Sequence, residues 1–216
     1  MGDIQSSKSE IVIVGAGGLA REIISWHNTS KKVRNTTIVG LLDDDITALD
    51  DFDVNTKICG TVDLRLIAEN QLIICAISNV DVKKMLFSKA IESNVTFANF
   101  IHETCIIGER TKFGSGLVIL PYAIISCDVT IGNLVFINCG SLIGHDVKIG
   151  DFTSIMANVD IGGGAIIGNN VFIGTGAVIL PRVKIPDGTR IGAGAVVLKS
   201  IKQSGSYFGN PAKKIF

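Results

Sequence analysis

The sequence is poor in the side chains that most often build a metal site or meet a polyanion. It has three histidines and five cysteines in 216 residues. Cys59, Cys75, Cys105, Cys127 and Cys139 follow no metal-ligand spacing and are odd in number. They read as reduced thiols of a cytoplasmic protein rather than a disulfide framework or a zinc site. Net charge is missing too, since 20 basic residues balance 20 acidic ones. With no run of Lys or Arg, the chain offers nothing to nucleic acid or to a membrane surface. No stretch of about 18 residues is apolar and free of turn residues, so no transmembrane helix is expected. Residues 1–10 are polar, show no signal-peptide pattern and are expected to fray.

What the sequence does have is a period. From Ile101, every sixth residue through Ile107, Phe113 and Ile119 to Val197 is apolar without a slip. Of these 17 positions all but Phe113 are Ile or Val. Neither the 3.6-residue turn of a helix nor the two-residue alternation of a plain strand produces that spacing. Short strands that each end at a corner do, and an internal repeat of this kind decides the architecture. Gly follows the apolar residue at 108, 114, 132, 144, 150, 162, 168, 174 and 192. It is expected there for the unusual backbone angles of a tight corner. The residue two before is mostly small or β-branched, as at Ala123, Val129, Ser141 and Val159. Strand alternation points both positions inward. Three hexapeptides close one triangular coil, so residues 101–197 make between five and six coils. Neighbouring coils stack at about 4.8 Å. The result is a parallel β-helix.

The first hundred residues do not repeat. Residues 11–14, Ile-Val-Ile-Val, read as a buried parallel strand. Gly15-Ala16-Gly17-Gly18-Leu19-Ala20 leads into a helix over residues 21–28. A second strand, 37–42, ends at Asp43-Asp44-Asp45, and a third, 72–77, at Ser78-Asn79. Residues 47–57 read as a loop, Asp81 is placed to cap a helix running to Glu92, and residues 95–100 lead into the repeat. Alternating strands and helices predict a small parallel α/β domain over residues 1–99, with the β-helix over 100–216. Gly15, Gly17 and Ala20 match the dinucleotide pattern G-x-G-x-x-A. Three readings stay open: an NAD site, a turn offering backbone N–H groups to the phosphate of another nucleotide-linked ligand, and a tight turn with no ligand. Against NAD, the domain lacks a second mononucleotide half. The acidic cluster stands at a strand's carboxyl end, where α/β ligands bind. Asp45 reads there as a solvated turn residue.

His27 falls late in the first helix as a surface residue, and His102 at the corner where the repeat begins. His145 lies two residues after the inward Ile143, so it belongs at a corner, facing outward. A three-histidine zinc site, such as some β-helix hydratases use, lacks two of its ligands here, and no metal is expected. An imidazole beside a carboxylate suits general-base work; the alternative is a surface corner histidine. Cys127, one coil earlier, reads as packing.

Four stretches carry a family likeness: Gly-His-Asp-Val-Lys-Ile-Gly-Asp-Phe (144–152), Phe-Ile-Gly-Thr-Gly-Ala-Val-Ile-Leu-Pro (172–181), Ile-Gly-Ala-Gly-Ala-Val-Val (191–197) and Gly-Asn-Pro-Ala-Lys (209–213). Together with Gly-Ala-Gly-Gly, the Leu-Asp-Asp turn and Ala-Ile-Ser-Asn, the chain resembles the bacterial nucleotide-sugar N-acetyltransferases, grouped with the sialic acid O-acetyltransferase-like hexapeptide proteins. The resemblance implies a small Rossmann-like α/β domain followed by a left-handed β-helix. It implies a homotrimer with active sites between subunits, acetyl-CoA as cosubstrate, and acetylation of the 4-amino group of a nucleotide-linked 4-amino-4,6-dideoxyhexose for a surface glycan such as lipopolysaccharide. Position by position it makes His145 the base and Asp146 its partner. Gly17, Gly18 and Leu19 fall on the phosphate turn, Asp43 and Asp44 on the nucleoside pair, and Ser78 on a further substrate contact. Ser154, Thr175 and Ala193 fall on acetyl-CoA contacts. Leu19 and Ser154 stand where relatives carry histidine, and Ser78 where relatives often carry Gly.

The activity so implied is direct transfer, because no Cys or Ser forms an evident dyad with His145. Three rivals remain: O-acetylation of a sialic-acid-like sugar, a non-catalytic trimeric nucleotide-binding scaffold, and a nicotinamide enzyme.

Overall fold

A computed structural model describes residues 9–30 and 36–215. The chain divides into two compact units, one running to Ala98 and the other starting at Asn99. No helix among the described residues is long and apolar enough to cross a membrane.

The first unit is a five-stranded parallel sheet in the order β3-β2-β1-β4-β5. Its strands are β1 (Ser9–Val14), β2 (Thr36–Leu42), β3 (Ile58–Gly60), β4 (Gln71–Cys75) and β5 (Thr96–Phe97). The central β1 and β4 supply Ile13, Val14, Ile73 and Ile74, all at or below 1 % exposure. A strand buried on both faces has no need of alternation, which is why Ile-Val-Ile-Val is unbroken. Helix α1 (Gly18–Thr29) sets Ala20, Ile23 and Ile24 into the core, and α2 (Val80–Glu92) adds Leu86 and Ala90.

Several boundaries differ from expectation. The stretch expected to fray lies outside the described residues up to residue 8, but Ser9 and Glu10 belong to β1. Helix α1 starts at Gly18, three residues early. The cap of α2 is Asn79, whose Oδ1 accepts from the N–H groups of Asp81 and Val82 at 2.9 and 3.1 Å; Asp81 lies in the first turn. Asn is a better match to that role, since the cap residue precedes the donors it satisfies. β3 falls where no strand was expected and pairs at the sheet edge. His27 is no plain surface residue: it bonds the Thr36 hydroxyl at 2.9 Å, and burial pushes its pKa down.

The second unit is the β-helix. Seventeen two-residue strands run from Phe100–Ile101 to Val196–Val197. They stack into three parallel sheets, each strand pairing with the one three hexapeptides on, as in Ile137↔Ile155 and Ile143↔Ile161. At three strands per coil this is between five and six coils. The expected inward positions form one continuous core from Leu117 to Val197. Only at the open first coil do they surface, with Ile107 37 % and Phe113 36 % exposed. Beyond the prism, Ser206–Phe208 and Lys213–Lys214 extend one face as a short hairpin.

The glycines of the repeat serve a different purpose from the one expected. Positive φ does not fall on the residue after the apolar one. It falls two residues later, at every sixth position from Arg110 (φ 59°) to Gly194 (φ 65°), including Asp146 at 61°. The earlier glycine is needed for close approach instead. A Cβ at Gly144 would stand 2.6 Å from Gly163 N, and one at Gly174 2.5 Å from Ala193 N.

Candidate functional site

His145 stands at the corner between the strand Leu142–Ile143 and the strand Lys148–Ile149. Its carbonyl accepts from Gly164 N–H at 2.7 Å, and Asp146 N–H donates to Cys127 O at 3.2 Å, so the corner is tied to the coils on both sides. Asp146 has left-handed backbone, with φ 61°. His145 Nδ1 lies 2.7 Å from Asp146 Oδ2, with both side chains 65 % exposed. A carboxylate can only accept, so Nδ1 is the protonated nitrogen and Nε2 carries the lone pair. The pair opens into a groove of about 600 Å³, lined also by Lys148, Gly163, Gly164, Ile166, Pro181 and Arg182.

One coil earlier the same corner carries Asp128, but Arg110 takes it. The guanidinium donates to both carboxylate oxygens at 2.6 and 2.8 Å, holding the Asp128 pKa below its usual value. Asp146 therefore has a histidine for a partner where its neighbour has an arginine. Cys127, expected as a packing residue, is half-buried at this corner, and its thiol bonds the Asp128 carboxylate.

Thr175 and Ala193 lie at a different corner, between the Phe172 and Val178 strands and between the Arg190 and Val196 strands. They are stacked one coil apart, with Gly194 N–H donating to Thr175 O at 2.8 Å, and both are exposed. Ser154 sits on the adjoining face, in register between Phe136 and Phe172, and is only 4 % exposed. A single chain thus separates the histidine corner from the Thr175 corner by the whole face that carries Leu142, Asp160 and Val178. His102 is buried at 8 % and bonds the Thr104 hydroxyl at 2.9 Å, where it helps close the first coil.

In the α/β unit, Gly17 and Gly18 are exposed at the start of α1, where no side chain caps the helix. A Cβ at Gly17 would meet nothing within 4 Å, so space above the turn is open. Leu19, in the first turn of α1, is half-buried, and Ser78, between β4 and α2, is exposed. Asp43 shapes the turn: Oδ2 accepts from Ala16 N–H at 2.6 Å and Oδ1 from Asp45 N–H at 2.9 Å. Asp44 Oδ1 accepts from Val62 N–H at 3.0 Å. Asp45 is a turn residue as expected, accepting from the Thr47 N–H and hydroxyl, which lower its pKa. Among the described residues, no group of three or more His, Cys, Asp or Glu could hold a metal ion.

Comparison with known proteins supports an acyltransferase with hexapeptide repeats. Residues 10–90 match the PglD N-terminal domain, and residues 146–180 and 164–199 match the bacterial transferase hexapeptide (six repeats). The acetyltransferase domain of PglB from Neisseria gonorrhoeae FA1090 superposes with a TM-score of 0.88 over 96 % of this chain and 100 % of that one, at 23 % identity, a likeness of fold. A histidine-to-asparagine variant of perosamine N-acetyltransferase from Caulobacter crescentus, solved with CoA and GDP-perosamine, superposes at 0.84 with 26 % identity, covering 94 % and 95 %. WeeI from Acinetobacter baumannii AYE does so at 0.73 with 25 % identity, covering 94 % and 98 %. The chain joins a PglD-type N-terminal α/β domain to a left-handed β-helix of hexapeptide repeats, and these matches support an acyltransferase. Sequence reasoning missed the groove beyond His145 and Asp146, because Lys148, Gly163, Ile166, Pro181 and Arg182 reach it only when successive coils stack.

Proposed function

We propose that the chain transfers the acetyl group of acetyl-CoA to the 4-amino group of a nucleotide-linked 4-amino-4,6-dideoxyhexose, with His145 as general base. The observation that carries this reading is the 2.7 Å bond from His145 Nδ1 to Asp146, which leaves Nε2 as an acceptor in an open groove. The amine nitrogen bonds to the acetyl carbon while Nε2 takes its proton, and a backbone N–H holds the charge that develops on the carbonyl oxygen. The carbon–sulfur bond then breaks, and the proton passes from Nε2 to the departing CoA sulfur. Asp146 holds the tautomer and supports the imidazolium.

Gly17, Gly18 and Leu19 would take the diphosphate at the uncapped start of α1, with Asp43, Asp44 and Ser78 arranging the rest of the nucleotide-sugar. Acetyl-CoA would lie along the corner of Thr175 and Ala193, with Ser154 on the adjoining face. Since one chain holds that corner and His145 apart, the complete site requires a second copy, and a homotrimer supplies three such junctions. Light scattering should then give three times 22.9 kDa. The setting fits a cytoplasmic enzyme that prepares an activated sugar for a surface glycan such as lipopolysaccharide.

The test is a transfer assay with acetyl-CoA across UDP-, dTDP- and GDP-linked 4-amino-4,6-dideoxyhexoses. One nucleotide is expected to be preferred, and His145→Ala to cut turnover about 10²–10⁴-fold. Turnover within a factor of a few of the unmodified enzyme would remove His145 from the role. Acetylation of a sialic-acid-like hydroxyl in place of the amine would assign the other acceptor.

A further inference from the structure

The imidazole of His145 lies where a side chain on residue 163 would stand. A Cβ built on Gly163 would be 2.6 Å from His145 Nε2, 2.8 Å from Cε1 and 3.0 Å from Cδ2, and these are its three nearest atoms. All three belong to the imidazole ring, and the nearest, Nε2, is the nitrogen that does not face Asp146.

Two further facts show that the coil itself does not ask for glycine here. Residue 163 occupies the second place after the inward apolar residue, and that place recurs 16 times between Glu103 and Ala193. Every other occurrence carries a side chain, and on the same corner these are Glu109, Cys127, His145 and Pro181. Nor does the backbone demand it. The left-handed residue of this corner is the next one, Gly164 at φ +69°, whereas Gly163 takes a φ open to any L residue. The three atoms nearest a methyl at 163 all belong to the ring in the neighbouring coil.

We infer that Gly163 is a positioning residue: its lack of a side chain leaves the berth in which His145 presents Nε2 to the groove. This rests on His145 being the base. A methyl there displaces the ring rather than the coil, because His145 is held by one hydrogen bond on an exposed side chain while the coil backbone is bonded on both sides. A small misplacement of a catalytic group lowers the rate steeply without weakening substrate binding.

The experiment is Gly163→Ala, alone and combined with His145→Ala, in steady-state assays with both substrates varied. Gly163→Ala should lower kcat about 10- to 100-fold with both KM values within about twofold. Added to His145→Ala, it should cost nothing more, since a residue acting through the imidazole has no effect once the imidazole is gone. The His145 Cε1 NMR signal should move in Gly163→Ala while the backbone amide spectrum of the coil stays in place. The inference is overturned by an unchanged kcat, by an undiminished loss in the His145→Ala background, by an unmoved Cε1 signal, or by loss of the fold on adding the methyl. If His145→Ala keeps full turnover, the base assignment itself falls. If His145→Ala is impaired and Gly163→Ala is not, only the positioning role does.

Discussion

The two units of this protein hold their residues in place by different means. In the β-helix, position follows from arithmetic. Each residue has a counterpart one coil on, a fixed inward or outward direction and a known corner, so His145 could be placed before any contact was seen. In the α/β unit, position follows from particular contacts between distant segments. Asp43 reaches back to Ala16, and Gln71 Nε2 to Glu10 Oε2, across long stretches of chain. A solenoid distributes its stability over similar neighbouring interfaces. An α/β unit concentrates it at a few central strands and turns. The repeat therefore makes a tolerant platform for chemistry, while the non-repeating unit can be varied at its loops.

Core truncation should give the largest effects on stability. Ile155 is fully buried in the coil and Ile13 in the α/β sheet, and changing either to Ala should cost about 2–5 kcal/mol. Ile155→Ala should lower the unfolding midpoint of the coil, and Ile13→Ala that of the α/β unit, as followed by hydrogen exchange. Equal loss of protection in both units from either change would show that they unfold as one and erase the contrast.

Next comes Gly15→Ala. Gly15 has φ +102°, and an added Cβ would stand 3.0 Å from Ala76 O. Strain of about 1–3 kcal/mol is expected, read as a raised KM for the nucleotide-sugar with the KM for acetyl-CoA unaltered. A matching rise in both would count against assigning the nucleotide to this turn.

Asp43→Asn is a finer probe of the same turn. Asn keeps one acceptor oxygen where Asp43 uses two, so one hydrogen bond is lost, worth about 1 kcal/mol or somewhat more for a charged acceptor. The nucleotide-sugar KM should rise several-fold with kcat retained; a fall in kcat alone would contradict it. The smallest change should come from Arg110→Ala on the coil. The ion pair with Asp128 is short but solvent-exposed, and such pairs contribute little to stability. A marked drop in thermal stability would mean that the corner stack is less tolerant than a solenoid should be.

Legibility in the sequence followed the same division. The inward Ile and Val positions, the three-sided coil and the corner place of His145 were readable, because a period of six repeated 17 times admits one geometry. The reason for the repeat's glycines was misread. Tight corners suggest unusual backbone angles, but here those angles fall two residues later, on residues as varied as Tyr122, Phe152 and Arg182. The glycine is set by the coil above it, and a distance between coils has no signature in local composition. In the α/β unit, β3 and the Asn79 cap escaped notice for the opposite reason: a three-residue edge strand is too short to show a pattern, and two nearby polar residues compete for one cap.

The sequence by itself determined the β-helix, the strand–turn–helix with its open glycines, and the pairing of a corner histidine with the next carboxylate. These are consequences of periodicity and of neighbours in the chain. Only the tertiary structure decided which nitrogen of His145 is held, which residues join it in the groove, and that Thr175 and Ala193 stand on another corner. It also placed the His145 ring where a side chain on residue 163 would stand. That glycine is a full coil along the chain from the histidine it accommodates, and only the stacking of one coil on the next brings the two into contact.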